Sequence, residues 1–460
     1  MLTFDVNKSK YKNVHFIGIG GISMSGLAEI LLHKGYNVSG SDMKSSSIIE
    51  RLKSKGAKIN ISHNSKNVEG TDLVVYTSAI NDNNPEYIYA VENNIPIIDR
   101  AAFLGELMKI YKNSIAISGT HGKTTTTGMI SSVINSSKID STILLGGELD
   151  SIGGNVKIGG NELLITEACE YKGNFLKFHP TIGIILNIEE DHLDYFKGIE
   201  HIKDTFKNFI NIIPTSGKVI VNTDDKNIKD IIKNSSKDII TFGLNKESMY
   251  SANNINYNDK GYPSYDLYIN GENQGRVNLS VVGKHNIYNS LSAIAACNIA
   301  GVSLDNIKDG INKYLGTHRR FENKGIIKGV QIIDDYAHHP TEIKANLNSI
   351  PAKYNKVWCV FQPHTYTRTK ALLDDFAKCF INCDEVIVTD IYAAREEDTG
   401  LVHSKDLVKK LNKNDISSKY IGSFKEIVNY LMQHVDKNDI LITFGAGDVY
   451  KIGDMFKENF

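Results

Sequence analysis

The sequence predicts an α/β protein of three domains in series: N-terminal Rossmann-like, central P-loop ATPase-like and C-terminal Rossmann-like. Three observations carry that prediction. Short apolar runs of buried-strand type alternate with helical patterns along the whole chain. Two of these runs enter glycine turns that open helices, GIGGISMSG from Gly18 and GTHGKTTTT from Gly119. A later series of runs, beginning near residue 330, ends each time in a cluster of polar and aromatic side chains. The expected boundaries are 1–109, 110–318 and 319–460.

The bulk numbers suit such a protein and exclude others. The 460 residues are 41% hydrophobic and 23% charged, with a formal net charge of −1. No basic excess points to nucleic acid or an anionic membrane surface as a partner. An anionic ligand must therefore be held by local positive charge and backbone N–H groups. Cys169, Cys297, Cys359, Cys379 and Cys383 form an odd, scattered set with no zinc-ligand spacing, so reduced thiols in a cytoplasmic protein are expected. The most apolar stretch, residues 14–32, is broken by glycines and serines and contains Glu29, which makes it a poor membrane span.

In the first domain, residues 14–17 read as a strand, 27–32 as a helix and 36–39 as the next strand, with Asp42 at its end; 73–76 and 95–98 are further strands. The turn spells Gly18-x-Gly20-x-x-Ser23, one glycine short of a dinucleotide fingerprint. Its placement between strand and helix favours a diphosphate ligand all the same, with Asp42 placed to accept from a ribose. Either NAD or another diphosphate-linked nucleoside satisfies this pattern.

The second domain opens on a strand at 114–118 that runs into Gly119-Thr120-His121-Gly122-Lys123-Thr124-Thr125. A P-loop wants its first glycine where Ile117 stands; here the glycine comes two residues later. The physics survives, because a helix N-terminus still presents N–H groups to phosphate, Lys123 can bridge β- and γ-phosphates, and the Thr124 hydroxyl can ligate Mg2+. Strands at 163–166, 182–186 and 218–222 follow. The first two end in the acidic runs Glu167-Ala168-Cys169-Glu170 and Asn187-Ile188-Glu189-Glu190-Asp191-His192, where carboxylates suit Mg2+. Residues 245–280 read as an antiparallel addition, and 285–299 as a helix whose first turns hold His285, Asn286 and Asn289, able to meet an adenine or a phosphate.

The third domain begins near Arg319-Arg320, a hinge pair that could close on a γ-phosphate. Its strands at 330–333, 356–361, 385–389 and 440–444 lead into Asp334-Asp335-Tyr336-Ala337-His338-His339 and Gln362-Pro363-His364-Thr365-Tyr366-Thr367-Arg368, which should converge on one crevice.

Taken together, GIGGISMSGLAE, SGTHGKTTT, NIEEDHLDYF, GKHNIYNSLSA, HRRFE, DDYAHHPTE, FQPHTYTR and FGAGD resemble, in that order, the motifs of the Mur ligase family. The resemblance covers nearly the whole chain, and Met24-Ser25-Gly26-Leu27-Ala28 is similar to the members that add alanine. It implies UDP-sugar, ATP and amino-acid domains, with the Gly18 turn holding the diphosphate of UDP-N-acetylmuramate rather than NAD. The implied chemistry is phosphorylation of the muramoyl carboxylate by ATP, then attack by L-alanine on the acyl phosphate. By position, Gly18, Gly20, Gly21, Ser23, Met24, Ser25, Asp42 and Ser78 would meet the UDP-sugar. The phosphate loop, His285, Asn286, Asn289, Arg320 and Asp335 would meet ATP. Lys123, Glu170, His192 and Arg320 would carry catalysis, with Thr124, Glu170 and His192 on Mg2+, two ions that Mn2+ could replace. Tyr336, His338, His364 and Arg368 would surround alanine, Arg368 facing its carboxylate. No nucleic acid or membrane partner is expected, and the state is monomer or homodimer.

The chain departs from the family pattern in two places. Cys169-Glu170-Tyr171-Lys172 stands where many relatives read D-E-S-D, and Thr365 stands where many have arginine, removing one positive charge from the alanine site. Lys203 and Lys207 lie at plausible range for the carbamylated lysine that some relatives carry. Competing expectations are a ligase that joins a preformed peptide to the same UDP-sugar, a nucleotide-regulated sensor, and an NAD-dependent oxidoreductase.

Overall fold

The computed structural model describes residues 11–77, 79–137 and 139–459. Cα packing divides the chain into two compact units, residues 1–188 with 201–242 and 292–310, and residues 189–200 with 243–291 and 311–460.

The first unit holds two sheets. One is built from β1 (Asn13–Ile17), β2 (Asn37–Asp42), β3 (Lys58–Ile61), β4 (Leu73–Tyr76) and β5 (Ile97–Asp99). Its order is β3-β2-β1-β4-β5 and every pairing is parallel. The order reverses beside β1, so the Gly18 turn that follows β1 sits at the switch point where such sheets bind ligands. β1 is buried because Val14, Phe16 and Ile17 are apolar, while His15 between them finds polar partners.

The other sheet contains β6 (Asn113–Ser118), β7 (Ser141–Leu149), β8 (Gly154–Lys157), β9 (Leu163–Glu167), β10 (Ile182–Ile185), β11 (Lys218–Asn222) and β12 (Asp238–Gly243). They run in the order β12-β11-β10-β6-β9-β7-β8, parallel except for the β7–β8 hairpin. β6 is central, so the phosphate loop after it is flanked by the ends of β9 and β10. The helix Lys123–Asn135 packs on this sheet through Met129, Ile130, Val133 and Ile134, all fully buried.

In the second unit, β13 (Tyr250–Tyr257), β14 (Pro263–Ile269) and β15 (Glu272–Asn278) form an antiparallel meander, as the loose alternation there predicts. A further sheet comprises β16 (Glu322–Ile327), β17 (Val330–Asp335), β18 (Val357–Phe361), β19 (Glu385–Val388), β20 (Ser418–Tyr420) and β21 (Ile440–Phe444). Its order is β16-β17-β21-β18-β19-β20, with only β16 antiparallel. Apolar side chains cover both faces, Phe361, Phe376 and Phe380 on one and Val360, Leu441 and Phe456 on the other. β21 lies between β17 and β18, which brings the loops after all three to one end of the sheet. Among the described residues no helix is long and apolar enough to cross a membrane.

Candidate active site

The phosphate loop is shaped by two left-handed glycines. Gly119 has φ +135°, and a Cβ there would stand 3.0 Å from the Leu186 Cβ and 3.1 Å from its nitrogen. The site therefore requires glycine at 119 rather than at 117. Gly122, φ +85°, is the N-cap of the helix Lys123–Asn135 and supplies no side chain to its first N–H groups. The loop is tied to the strand end beside it by Thr120 N–H to Asn187 O (3.1 Å) and His121 N–H to Asn187 Oδ1 (2.7 Å). Lys123 Nζ donates to the Gly119 carbonyl, to Thr120 O (3.0 Å) and to Glu170 (3.3 Å). Burial alone would lower the Lys123 pKa, but Glu170, Cys169 and Glu167 outweigh it and raise it, so the ammonium is retained.

The expected metal pair was Thr124 and Glu170. The structure instead sets Thr124 Oγ1 against Glu167 Oε2 at 3.0 Å, while Glu167 Oε1 accepts from Gly146 N at 2.6 Å. Glu170 faces Lys123. A hydroxyl beside carboxylate oxygens is the hard donor set that suits Mg2+. Glu167 was legible as part of an acidic run, but its pairing with Thr124 follows from β9 lying beside β6 in the sheet. Thr125 is half-buried one residue on. Lys203 pairs with Asp230 at 2.9 Å, an ordinary ammonium contact, and Lys207 is exposed.

At the Gly18 turn, the Gly18 and Ile19 N–H groups donate to Ser41 O. Asp42 receives Gly20 N–H on Oδ2 (2.9 Å) and Met43 N–H on Oδ1 (2.7 Å). The residue expected to meet a ribose thus also clamps the glycine turn. Gly21 is the N-cap of the helix Ile22–His33. Met24 and Ser25 are buried on that helix, and Ser25 Oγ donates to Ile22 O at 2.9 Å and accepts from Asn155 Nδ2 at 3.3 Å. Ser23 Oγ accepts from Arg100 Nη1 at 3.0 Å. Arg100, a cation outside the sequence motifs above, follows Asp99, which caps the helix Arg100–Met108. Ser78 lies outside the described residues.

In the second unit, Tyr336, His338, His364 and Arg368 come together as expected. Ring centroids of Tyr336 and His338 are 5.5 Å apart and those of His338 and His364 5.6 Å. Arg368 Nη1 donates to His364 Nδ1 at 3.2 Å, and the Nδ1 of His338 donates to Tyr336 O at 3.0 Å. Burial, with Arg368 adding to it, lowers His338 to about 4; burial, His338 and Arg368 lower His364 to about 3. Both imidazoles are neutral at pH 7. Arg368 also donates through Nε (3.2 Å) and Nη2 (3.0 Å) to Asp191 Oδ1. Burial would raise the Asp191 carboxyl, yet His192, Arg368, His338 and His339 outweigh it and hold it well below the usual range.

His192, φ +53°, has Nε2 3.8 Å from Asp191 Oδ2. His338 and His339 point to different partners, since His339 Nε2 donates to Glu190 O at 3.2 Å. The Tyr336 ring carries two guanidinium groups, Arg319 at 5.0 Å and Arg320 at 4.9 Å. Asp335 accepts from Phe321 N–H and from Ala337 N–H (2.7 Å), and burial pushes its carboxyl up to about 7. Asn286 and Asn289 are buried and joined by Asn289 Nδ2 to Asn286 Oδ1 at 2.9 Å, on the helix that His285 opens.

The structure thus assembles a phosphate loop at the strand ends of one sheet and an arginine–histidine cluster at the strand ends of another. Three family models match in order: Mur ligase family, catalytic domain, at residues 13–112; Mur ligase middle domain at 117–297; and Mur ligase, glutamate ligase domain, at 319–447. The chain belongs to the Mur ligase family. It is 52% identical over 453 residues to the UDP-N-acetylmuramate–L-alanine ligase of Acetivibrio thermocellus, covering 98% of this chain and 97% of that protein. Among solved structures, the UDP-N-acetylmuramate–alanine ligase of Thermotoga maritima matches with TM-score 0.83 at 28% identity, over 97% of this chain and 98% of that one. A murein peptide ligase from Psychrobacter arcticus matches with TM-score 0.74 at 24% identity, over 97% and 98% of the two chains, a likeness of fold alone.

Proposed function

We propose that this chain is an ATP-dependent ligase that joins L-alanine to the lactyl carboxylate of UDP-N-acetylmuramate through an acyl phosphate, in cytoplasmic peptidoglycan precursor synthesis. The observation that carries the reading is 52% identity along 98% of the chain to a ligase of that name, with the acceptor cluster assembled around Arg368. In this reading residues 1–109 bind the UDP-sugar, 110–318 ATP and 319–460 the amino acid.

A carboxylate resists attack because its oxide is a poor leaving group; transfer of the γ-phosphoryl makes phosphate the leaving group instead. The loop N–H groups and the Lys123 ammonium bind the β- and γ-phosphates. Thr124, Glu167 and Glu170 would hold one Mg2+ and His192 would help hold a second, each supplying charge neutralisation when bound. Arg320 meets the transferring phosphoryl group, Asn286 and Asn289 the adenine, and Asp335 the ribose. Asp42 keeps the Gly18 turn in shape for the diphosphate. Arg368 binds the carboxylate of alanine, with Tyr336, His338 and His364 lining the remainder. Most of the catalysis is positioning and charge.

Phosphate release from ATP with UDP-N-acetylmuramate and L-alanine, against the same mixture with a preformed tripeptide, tests the assignment. Alanine-dependent release is expected. Release with the tripeptide alone would transfer the chain to the peptide-joining relatives, and release without any acceptor would favour a nucleotide-regulated sensor.

A further inference from the structure

The charge balance around Arg368 leaves an amino-acid carboxylate under-provided. Arg368 and Asp191 form a pair at 3.0 Å whose side chains are 11% and 10% exposed, and the pair is neutral overall. His338 and His364 contribute no charge at pH 7. Arg319 is engaged by Asp334 at 3.1 Å and by Gly445 O at 2.7 Å, and Arg320 lies on the Tyr336 ring. A carboxylate leaving water for this cluster needs a further cation, because a buried anion facing a neutral pair is strongly disfavoured. Thr365 offers none.

A segment pinned against the same loop supplies one. Tyr392 stacks on His364, centroids 5.7 Å apart and planes 15° apart. Thr365 N–H donates to Tyr392 O at 2.9 Å and Tyr392 N–H to Pro363 O at 2.8 Å. Four residues on, the Glu396 carboxylate accepts from the Thr367 N–H at 3.0 Å and from the Thr367 hydroxyl. Residues 392–396 are thus fastened at both ends to residues 363–367. Ala394, φ +54°, turns the chain between the two anchors, and Arg395 follows it. Arg395 is exposed on this segment, and its positive charge is among the causes that lower the His364 imidazole.

We propose that Arg395 is the second cation of the acceptor site and binds the α-carboxylate of the amino-acid substrate together with Arg368. The assignment rests on the ligase reading above. It makes Arg395 a specificity-determining residue, selecting acceptors that carry a carboxylate next to the attacking amine.

Steady-state kinetics on the full chain tests it. Arg395→Ala should raise the KM for L-alanine about tenfold, the loss of one charge-assisted hydrogen bond, with the KM for ATP and for UDP-N-acetylmuramate unchanged. Arg395→Lys should recover part of the loss. Thr365→Arg placed in the Arg395→Ala background should lower the alanine KM again, which repair of a merely structural defect would not do. With L-alaninamide as acceptor, wild type and Arg395→Ala should be equal. An alanine KM unchanged by Arg395→Ala, in an enzyme whose wild type uses alanine, would overturn this assignment alone. A wild type that does not use alanine would overturn it together with the ligase reading.

Discussion

Arg368 and Asp191 are 177 positions apart in the chain and meet through two guanidinium donors on one carboxylate oxygen, at 3.2 and 3.0 Å. The contact fixes the plane of the guanidinium and leaves its Nη1 on His364. Asp191 is therefore the residue that orients Arg368.

Replacing Asp191 by Asn should misdirect Arg368 without creating a cavity. The alanine KM should rise about tenfold while the KM for UDP-N-acetylmuramate stays put. Both variants should be destabilised by about 3–5 kcal/mol, because each leaves a buried guanidinium without its anion, and Asp191→Ala should lose more because it also removes the accepting oxygen. Thermal melts of the two variants against wild type read the difference. The sign with pH follows from the depressed carboxyl: the pair's stabilisation is complete above the unfolded carboxylate pKa, about 3.9, and is lost as pH falls below it.

His338 and His364 should titrate far below an ordinary histidine. With folded values of about 4 and about 3 against about 6.5 unfolded, their neutral forms stabilise the fold fully above pH 6.5. That contribution declines as pH falls from 6.5 toward 4. Histidine NMR titration should show two imidazoles still neutral at pH 5, and two ordinary midpoints at these positions would contradict the buried cluster.

Lys123→Ala should abolish ligation, lowering kcat by about a thousandfold or more, the scale of removing a preorganised charge from a phosphoryl-transfer site. UDP-N-acetylmuramate binding, followed by calorimetry, should be nearly intact, because the Gly18 turn lies on a separate sheet. Loss of UDP-sugar binding would show that Lys123 serves more than the nucleotide.

Glu167→Gln should weaken the Mg2+ dependence more than it weakens ATP binding in the absence of the ion. Glu167 is the carboxylate at the Thr124 hydroxyl, 3.0 Å away, whereas Glu170 is taken up by Lys123. Raising Mg2+ should recover much of the Glu167→Gln activity, and an unchanged Mg2+ requirement would leave the metal to Thr124 and Glu170 without Glu167.

Asp42→Ala should loosen the Gly18 turn. It removes the acceptor of the Gly20 and Met43 N–H groups, so the KM for UDP-N-acetylmuramate should rise about tenfold with the KM for alanine unchanged.

Several edge and near-edge strands escaped the sequence reading. β3 and β20 lie at sheet edges, and β3 is largely exposed with the pattern Lys-Ile-Asn-Ile; neither shows the apolar run of a buried strand. β7 is broken by Gly146 and Gly147, and β16 is an antiparallel edge holding Gly325. By contrast β1, β4, β6, β9, β11 and β21 are buried on both faces and were plain in sequence, as parallel strands under helices should be.

What the sequence by itself determined is local. A strand, a glycine turn and a helix N-terminus are contiguous, so GTHGKTTTT and GIGGISMSG reveal that form within ten residues each. What only the tertiary structure decided is which side chains answer one another: Glu167 rather than Glu170 at Thr124, Asp191 behind Arg368, and residues 392–396 fastened beside His364. Those pairings depend on strand order and register, which bring residues distant in the chain within hydrogen-bonding reach, and no local pattern encodes such a distance.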